Sequence, residues 1–206
     1  MYLPDHFRMG DAAALEMAAS VGVGHLVSQG ADGHLDSSFV PFLVAPDSDA
    51  EGVVLRAHLS RANAHHRSFD GAEALVIVTG PDAYVSPSGY PSKAEHGKVV
   101  PTWNYAVVHL RGTVTVVEDA PWLRDVVTAL TDRHEAGRPE PWQVSDAPED
   151  YVEAALRGIV GVELRVTSVE GKAKLSQNRS DVDRAGATAM LAAGSAEEQA
   201  VARLMG

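Results

Sequence analysis

Cysteine is absent from the 206-residue chain. Thiolate metal sites, thiol catalysis and a disulfide scaffold are thereby excluded. Long apolar runs are absent too, since none approaches the roughly 20 residues that a membrane span requires. The N-terminal MYLPDHFRMGDAAALEMAA lacks the apolar core of about 7–15 residues behind a basic start that marks a signal peptide. The expectation is a soluble, cytoplasmic protein with no membrane attachment. Positive charge is the third shortage: 17 Lys and Arg against 28 Asp and Glu leave a net charge of −11. Nucleic-acid binding draws on Lys and Arg to neutralise phosphates, so this balance disfavours direct DNA binding by the unaided chain. A local basic patch is the remaining route, because salt screens charges beyond about 8 Å. The densest basic stretch holds Lys172, Lys174, Arg179 and Arg184.

Several chemical signatures are missing as well. There is no GxGxxG, no Walker A, no GxSxG and no HExxH, so the usual nucleotide cradles, the serine-hydrolase elbow and the zincin motif are excluded. Of the nine histidines, His65 and His66 are adjacent and would point about 100° apart on a helix, a poor chelate. The others are scattered singly, and no metal site is expected.

What is present reads as strands in the middle and helices at the ends. Asp11 caps a first helix to about Ser20, ended by Gly22 and Gly24. Strands follow at 24-GHLVSQ-29, at 35-LDSSFVPFLVA-45 after the turn Ala31-Asp32-Gly33, and at 53-VVLRAHL-59 after the polar loop PDSDAEG. Ser60 caps a short helix from Arg61 to Phe69. Strands then run over 73-EALVIVTG-80 and 83-AYVSP-87, and 87-PSGYPSKAEHGKVVP-101 reads as a long loop. A strand from Thr102 to Glu118 precedes a helix capped by Asp119, with apolar stripe Trp122, Leu123, Val126, Val127 and Leu130. A helix over about 148–157 and a strand over 159–171 come next. Ser180 with Asp183 and Ser195 with Glu198 open two C-terminal helices. This order predicts an α+β chain, mainly β: an antiparallel barrel decorated by helices, as one domain over 1–206 with a helical insertion at 119–158 and terminal helices at 180–206.

Three stretches carry candidate chemistry. In 58-HLSRAN-63 a strand runs into a helix start bearing Ser60, Arg61 and Asn63, where amides, dipole and guanidinium would favour a phosphate. In 172-KAKLSQNRS-180, Lys174 and Gln177 stand among many donors. Lys93 lies in the loop beside Tyr90 and Ser92. In 102-TWNYAVVHLRG-112 alternation places Asn104, Ala106, Val108 and Leu110 on one face, suited to a core. Trp103, Tyr105, Val107, His109 and Arg111 take the other.

Six ordered stretches, 2-YLPDHF-7, 58-HLSRAN-63, 84-YVSPSGYPSK-93, 100-VPTWNYAVVHLRG-112, 132-DRHE-135 and 171-GKAKLSQNRS-180, together resemble the PaiB-like FMN-binding negative transcriptional regulators. The resemblance covers nearly the whole chain and implies an FMN-binding split barrel, a homodimer and flavin sites where two barrels meet. It implies that Arg61, Asn63 and Lys174 hold the phosphate and that Gln177 holds the polar tail or ring. Trp103 and Tyr105 would wall the isoalloxazine, with Thr102 and Asn104 reaching it only at the strand end. Gly89 stands where the family carries a bulky residue. Ala64-His65-His66 stands where a proline and an aromatic are usual; both changes remove bulk beside the expected site. No side chain is singled out as a catalytic proton donor. A haem-binding split barrel with one histidine as axial ligand, or an NAD(P)H-dependent flavin oxidoreductase, remain the alternatives.

Overall fold

The computed structural model describes residues 1–30, 32–47 and 52–206. Ala31 of the predicted turn and residues 48–51 of the predicted polar loop lie outside the described residues. In chain order the elements are β1 (Arg8–Met9), α1 (Asp11–Val21), β2 (Val23–Gln29), β3 (Leu35–Pro46), β4 (Val53–Ser60) and β5 (Glu73–Val85). After them come α2 (Ser92–His96), β6 (Thr102–Val117), α3 (Ala120–Glu135), α4 (Glu149–Arg157), β7 (Ile159–Lys174), α5 (Asp181–Ala192) and α6 (Ala196–Met205). The sheet order is β1-β7-β4-β3-β2-β5-β6, and β7 also pairs with β6, so the ladder closes on itself. Closure leaves no long free edge. The registers are antiparallel, with His25 opposite Phe39 and Ile77, Phe42 opposite Ala57, and Val54 opposite Arg165. This is the split-barrel α+β architecture expected from the order of strands and helices.

The chain forms two compact units, and β5, β6 and β7 each contribute to both. The first unit holds residues 1–17, 79–108 and 170–206. Its core joins Val85, Tyr90 and Leu175 to Ala187 and Leu191 of α5 and to Val201 and Met205 of α6. The second unit holds residues 18–78 and 109–169. Leu26, Val40, Phe42, Leu55, Val76 and Leu164 are buried there between strands, while Leu123, Val144, Val152 and Leu156 cluster under α3 and α4. Gly161 permits that cover, since a Cβ on it would stand 2.3 Å from the Trp122 ring. The indole of α3 therefore rests directly on β7.

Caps explain where the helices begin. Asp119 accepts from the amide of Trp122, Ser180 from that of Asp183, and Ser195 from that of Glu198 in a full capping box. Arg133 closes the other end of α1: its guanidinium donates to the carbonyls of Ala19 and Ser20, satisfying groups that the last helical turn leaves without partners.

Three local expectations are corrected. The helix foreseen over 61–69 is only a 3-10 turn, Ala64–Arg67, capped by Asn63. His65 is drawn into the core there, where its ring nitrogens bond Ser28 and Ser38 at 2.9 and 2.8 Å, and this fixes the backbone after one turn. The two strands foreseen across 73–87 are one, β5, which passes through Pro81 without a break. The β2 register ends at Ile77, so the missing proline N–H costs no bond to that neighbour. Within the foreseen loop 87–101, Ser92–His96 form α2, closed by Gly97 at φ 69, the left-handed helix stop that glycine adopts freely.

Phe69 is fully buried and meets His65 edge-on at 4.9 Å. Phe69→Ala should destabilise the fold by about 3–5 kcal/mol, read as a lowered urea midpoint with an unchanged slope.

Candidate functional site

The alternation along β6 is realised in full. Asn104, Ala106, Val108, Leu110, Gly112 and Val114 are buried, whereas Trp103 is 50% exposed and Tyr105 and Val107 are half-buried. The residues expected at a ligand fall into two groups, one in each unit, described separately below.

In the first unit the centre is Lys174, at the end of β7. Its ammonium donates to Thr102 Oγ1 and, at 2.6 Å, to the carbonyl of Trp103, and it lies 5.9 Å from the centre of the Tyr105 ring. Lys172, two residues earlier and hence on the same strand face, is buried. It donates to the Tyr2 carbonyl at 3.1 Å and sits 5.6 and 5.3 Å from the Tyr2 and Tyr105 rings. The Arg179 guanidinium stacks 4.9 Å over Tyr90. Burial lowers the pKa of Lys174; the Tyr105 hydroxyl opposes this, and the nearby charges of Lys172 and Arg179 add to the lowering. Cations that disfavour one another's charge are relieved by an anion placed among them.

The turn that presents these cations is held from beneath. Ser176 adopts φ 63, a conformation unusual for a residue with a side chain. Asn104, 0% exposed, exchanges bonds of 3.0 and 3.1 Å with its hydroxyl and also reaches the Met205 sulfur. Gln177 closes the same turn, donating to the carbonyl of Ala173 at 2.6 Å and accepting from the amide of Leu175 at 2.7 Å. Asn104 and Gln177, expected to touch a ligand, are thus committed to supporting the turn. Trp103 donates its indole N–H to Asp82 at 2.7 Å and lies 6.0 Å from Tyr84, giving an exposed aromatic pair. Lys93 is exposed on α2 and makes one long bond, 3.4 Å, to Ser88.

Gly89 does not open space beside a ligand. A Cβ there would stand 3.0 Å from the Met190 sulfur and 3.2 Å from Ala187 Cα, so α5 occupies the place of the missing side chain. In the same way His65 fills the core instead of thinning the site.

In the second unit Ser60 ends β4, and its hydroxyl accepts from the Ala62 amide at 3.3 Å. Arg61 Nη1 donates to Glu118 at 2.6 Å, while Nε and Nη2 each donate at 3.1 Å to the carbonyls of Arg157 and Ile159. Asn63 donates to Ser38 at 3.0 Å and caps His65. No α-helix starts here, so the helix-dipole argument for a phosphate at Ser60, Arg61 and Asn63 does not hold. Arg61 instead borders a groove of about 450 Å³ together with Glu118, Arg124 and Glu153.

Tyr2 and Tyr84 were not singled out as site residues, and Lys172 and Ser176 were marked only as members of the basic, donor-rich run 172–180. The strand period of two could have placed Lys172 beside Lys174 on one face; nothing local marks Tyr2 or the left-handed backbone of Ser176. Among the described residues no cluster of three or more metal-ligating side chains occurs and no helix is long and apolar enough to cross a membrane.

The donors around Lys174 suit an anionic oxygen group, and the neighbouring aromatic faces suit a planar ring, so the residues present fit a phosphorylated flavin. Residues 1–168 match the family described as "Putative FMN-binding domain". An uncharacterised protein of Aspergillus fumigatus is 33% identical over 193 residues, covering 74% of each chain. The protease synthase and sporulation protein PAI 2 of Bacillus subtilis is 29% identical over 189 residues, covering 89% of this chain and 85% of its own. The structure of the FAD and heme binding protein of Mycobacterium smegmatis superposes with a TM-score of 0.59 at 20% identity, over 90% of this chain and 79% of that one. That likeness is one of fold.

Burial lowers the pKa of His65, against an opposing pull from Asp36, and burial also lowers that of His58. In the unfolded chain both would titrate near 6.5. On acidification the unfolded state therefore takes up protons first, and stability is lost as pH falls below that value toward the folded pKa. Urea midpoints should level off just above pH 6.5 and decline below it, and His65→Gln should flatten part of that decline.

Proposed function

The chain belongs to this FMN-binding domain family, and on that premise we propose that it binds FMN through the first unit. Lys174, Lys172 and Arg179 meet the phosphate, and the faces of Trp103, Tyr84 and Tyr105 meet the isoalloxazine. The observation that carries this reading is the convergence of three cations on Tyr105 and Tyr90, with Lys174 bearing a lowered pKa. The phosphate is placed at Lys174 and not at Arg61, because Arg61 is already paired with the Glu118 carboxylate, whereas the charges acting on Lys174 include two further cations, Lys172 and Arg179. Thr102 orients the ammonium, Asn104 and Gln177 hold the turn, and Lys93 adds outer positive charge. When bound, the flavin would supply any redox chemistry, while the chain supplies position and charge.

The same reading makes the protein a cytoplasmic homodimer, with the exposed Val100 and Trp103 facing the partner. It makes the protein a ligand-responsive regulator, as the resemblance to the PaiB-like regulators implies; the Bacillus relative's name ties that protein to protease synthesis and sporulation. The net charge of −11 favours action through a partner or a local patch over broad DNA contact. Haem is a weaker fit. Of the histidines, His58 lines an apolar pocket, but that pocket measures about 210 Å³, below the ~300–1,000 Å³ of sites for larger ligands.

Purified protein titrated with FMN should show saturable quenching of flavin fluorescence. Lys174→Ala should weaken affinity at least about tenfold, the scale of one charge-assisted hydrogen bond, with little change in melting temperature. A colourless protein that takes up no added FMN, or a Lys174→Ala variant of undiminished affinity, would sink the reading. Sedimentation at micromolar concentration checks the dimer.

A further inference from the structure

His58 on β4 stands opposite Gly161 of β7 and projects beneath the helical cover of the second unit. There a pocket of about 210 Å³ is lined by His58, Val127, Trp142, Val144, Tyr151 and Ile159, with Val152 and Leu156 beneath them. Its wall is almost wholly apolar apart from the imidazole and the tips of Trp142 and Tyr151, which are 48% and 68% exposed. His58 Nδ1 is buried and, among the described residues, has no hydrogen-bond partner. An imidazole nitrogen inside a protein is ordinarily paired, so a group without a partner beside an open apolar pocket marks a place for one. Among the described residues no partner holds His58 Nδ1 in its present orientation. The broad, roughly two-fold torsion about its Cβ–Cγ bond allows a half-turn that exchanges Nδ1 with Cδ2.

Size and chemistry narrow the occupant. An apolar cavity of about 150 Å³ accepts benzene, so this pocket takes one aromatic ring and a small substituent. Burial keeps the imidazole neutral at pH 7, which leaves one N–H and one bare nitrogen. A hydroxyl donates to the bare nitrogen or accepts from the N–H, so it suits either tautomer. A charged substituent would meet an apolar wall with no counter-ion.

We propose that this pocket binds a small neutral aromatic alcohol of the phenol class, its ring against Val127, Val144 and Ile159 and its hydroxyl on His58. The site lies within the second unit and does not rest on the flavin reading.

The test uses the full chain, titrated with phenol and separately with toluene, which has similar size but no hydroxyl. The Trp142 indole N–H resonance, assigned through Trp142→Phe, is the readout. Both probes should shift it saturably. The ratio of phenol to toluene affinity should fall about tenfold in His58→Phe, the scale of one hydrogen bond. Ala155→Trp, at the exposed lip of the pocket on α4, should abolish both shifts while the melting temperature holds. Absence of a saturable phenol shift in the wild-type chain would overturn the proposal. So would an unchanged ratio in His58→Phe, or full binding of both probes to a folded Ala155→Trp variant.

Discussion

A β-strand turns every second side chain the same way, and this constraint governs β6 more than any individual contact does. Because Asn104, Ala106, Val108, Leu110 and Val114 share the buried face, Trp103 and Tyr105 are obliged to take the other. No residue on that second face need be apolar for the strand to fold, which frees it for large amphipathic rings and an arginine. The same parity puts Lys172 and Lys174 side by side on β7. Two strands, each obeying a period of two, thus bring the aromatic rings of β6 and the ammonium groups of β7 together.

The buried face is not idle in this arrangement. Asn104 sits in it at full burial, a position whose polar atoms must be satisfied inside the protein. They are satisfied by Ser176, and that bond helps hold Ser176 in its left-handed conformation. Core packing and cation placement are coupled through this pair. A ligand site argued from Lys174 alone would miss that its geometry depends on a residue no ligand reaches.

What could be read ahead of the structure follows the range of the forces involved. Caps such as Asp119, Ser180 and Ser195 act within four residues, and they were legible. Strand parity is equally local, and it placed both faces of β6. The segment 61–69 was not legible as a single 3-10 turn, because what stops it is the pull of Ser28 and Ser38 on His65, from 37 and 27 residues away. The continuity of β5 through Pro81 depends on which neighbour lies beside that residue, again a tertiary fact. In the candidate site, Lys174 stood out by residue type. The supporting roles of Asn104 and Gln177 did not, since an amide that binds a ligand and an amide that braces a turn look alike in one dimension.

Gly89 and Gly186 meet where α5 approaches the 3-10 turn Pro87–Gly89, with a Cβ on Gly186 falling only 2.3 Å from the Gly89 carbonyl oxygen. A side chain on Gly186 would strike backbone outright, and one on Gly89 would press on Met190 and the Ala187 backbone at 3.0–3.2 Å. The three behave as one steric unit distributed over a hundred residues of chain. Grafting the 87–97 segment of a bulkier homologue onto this scaffold would therefore wedge the last helical hairpin away from its seat, unless the matching stretch of α5 travelled with it.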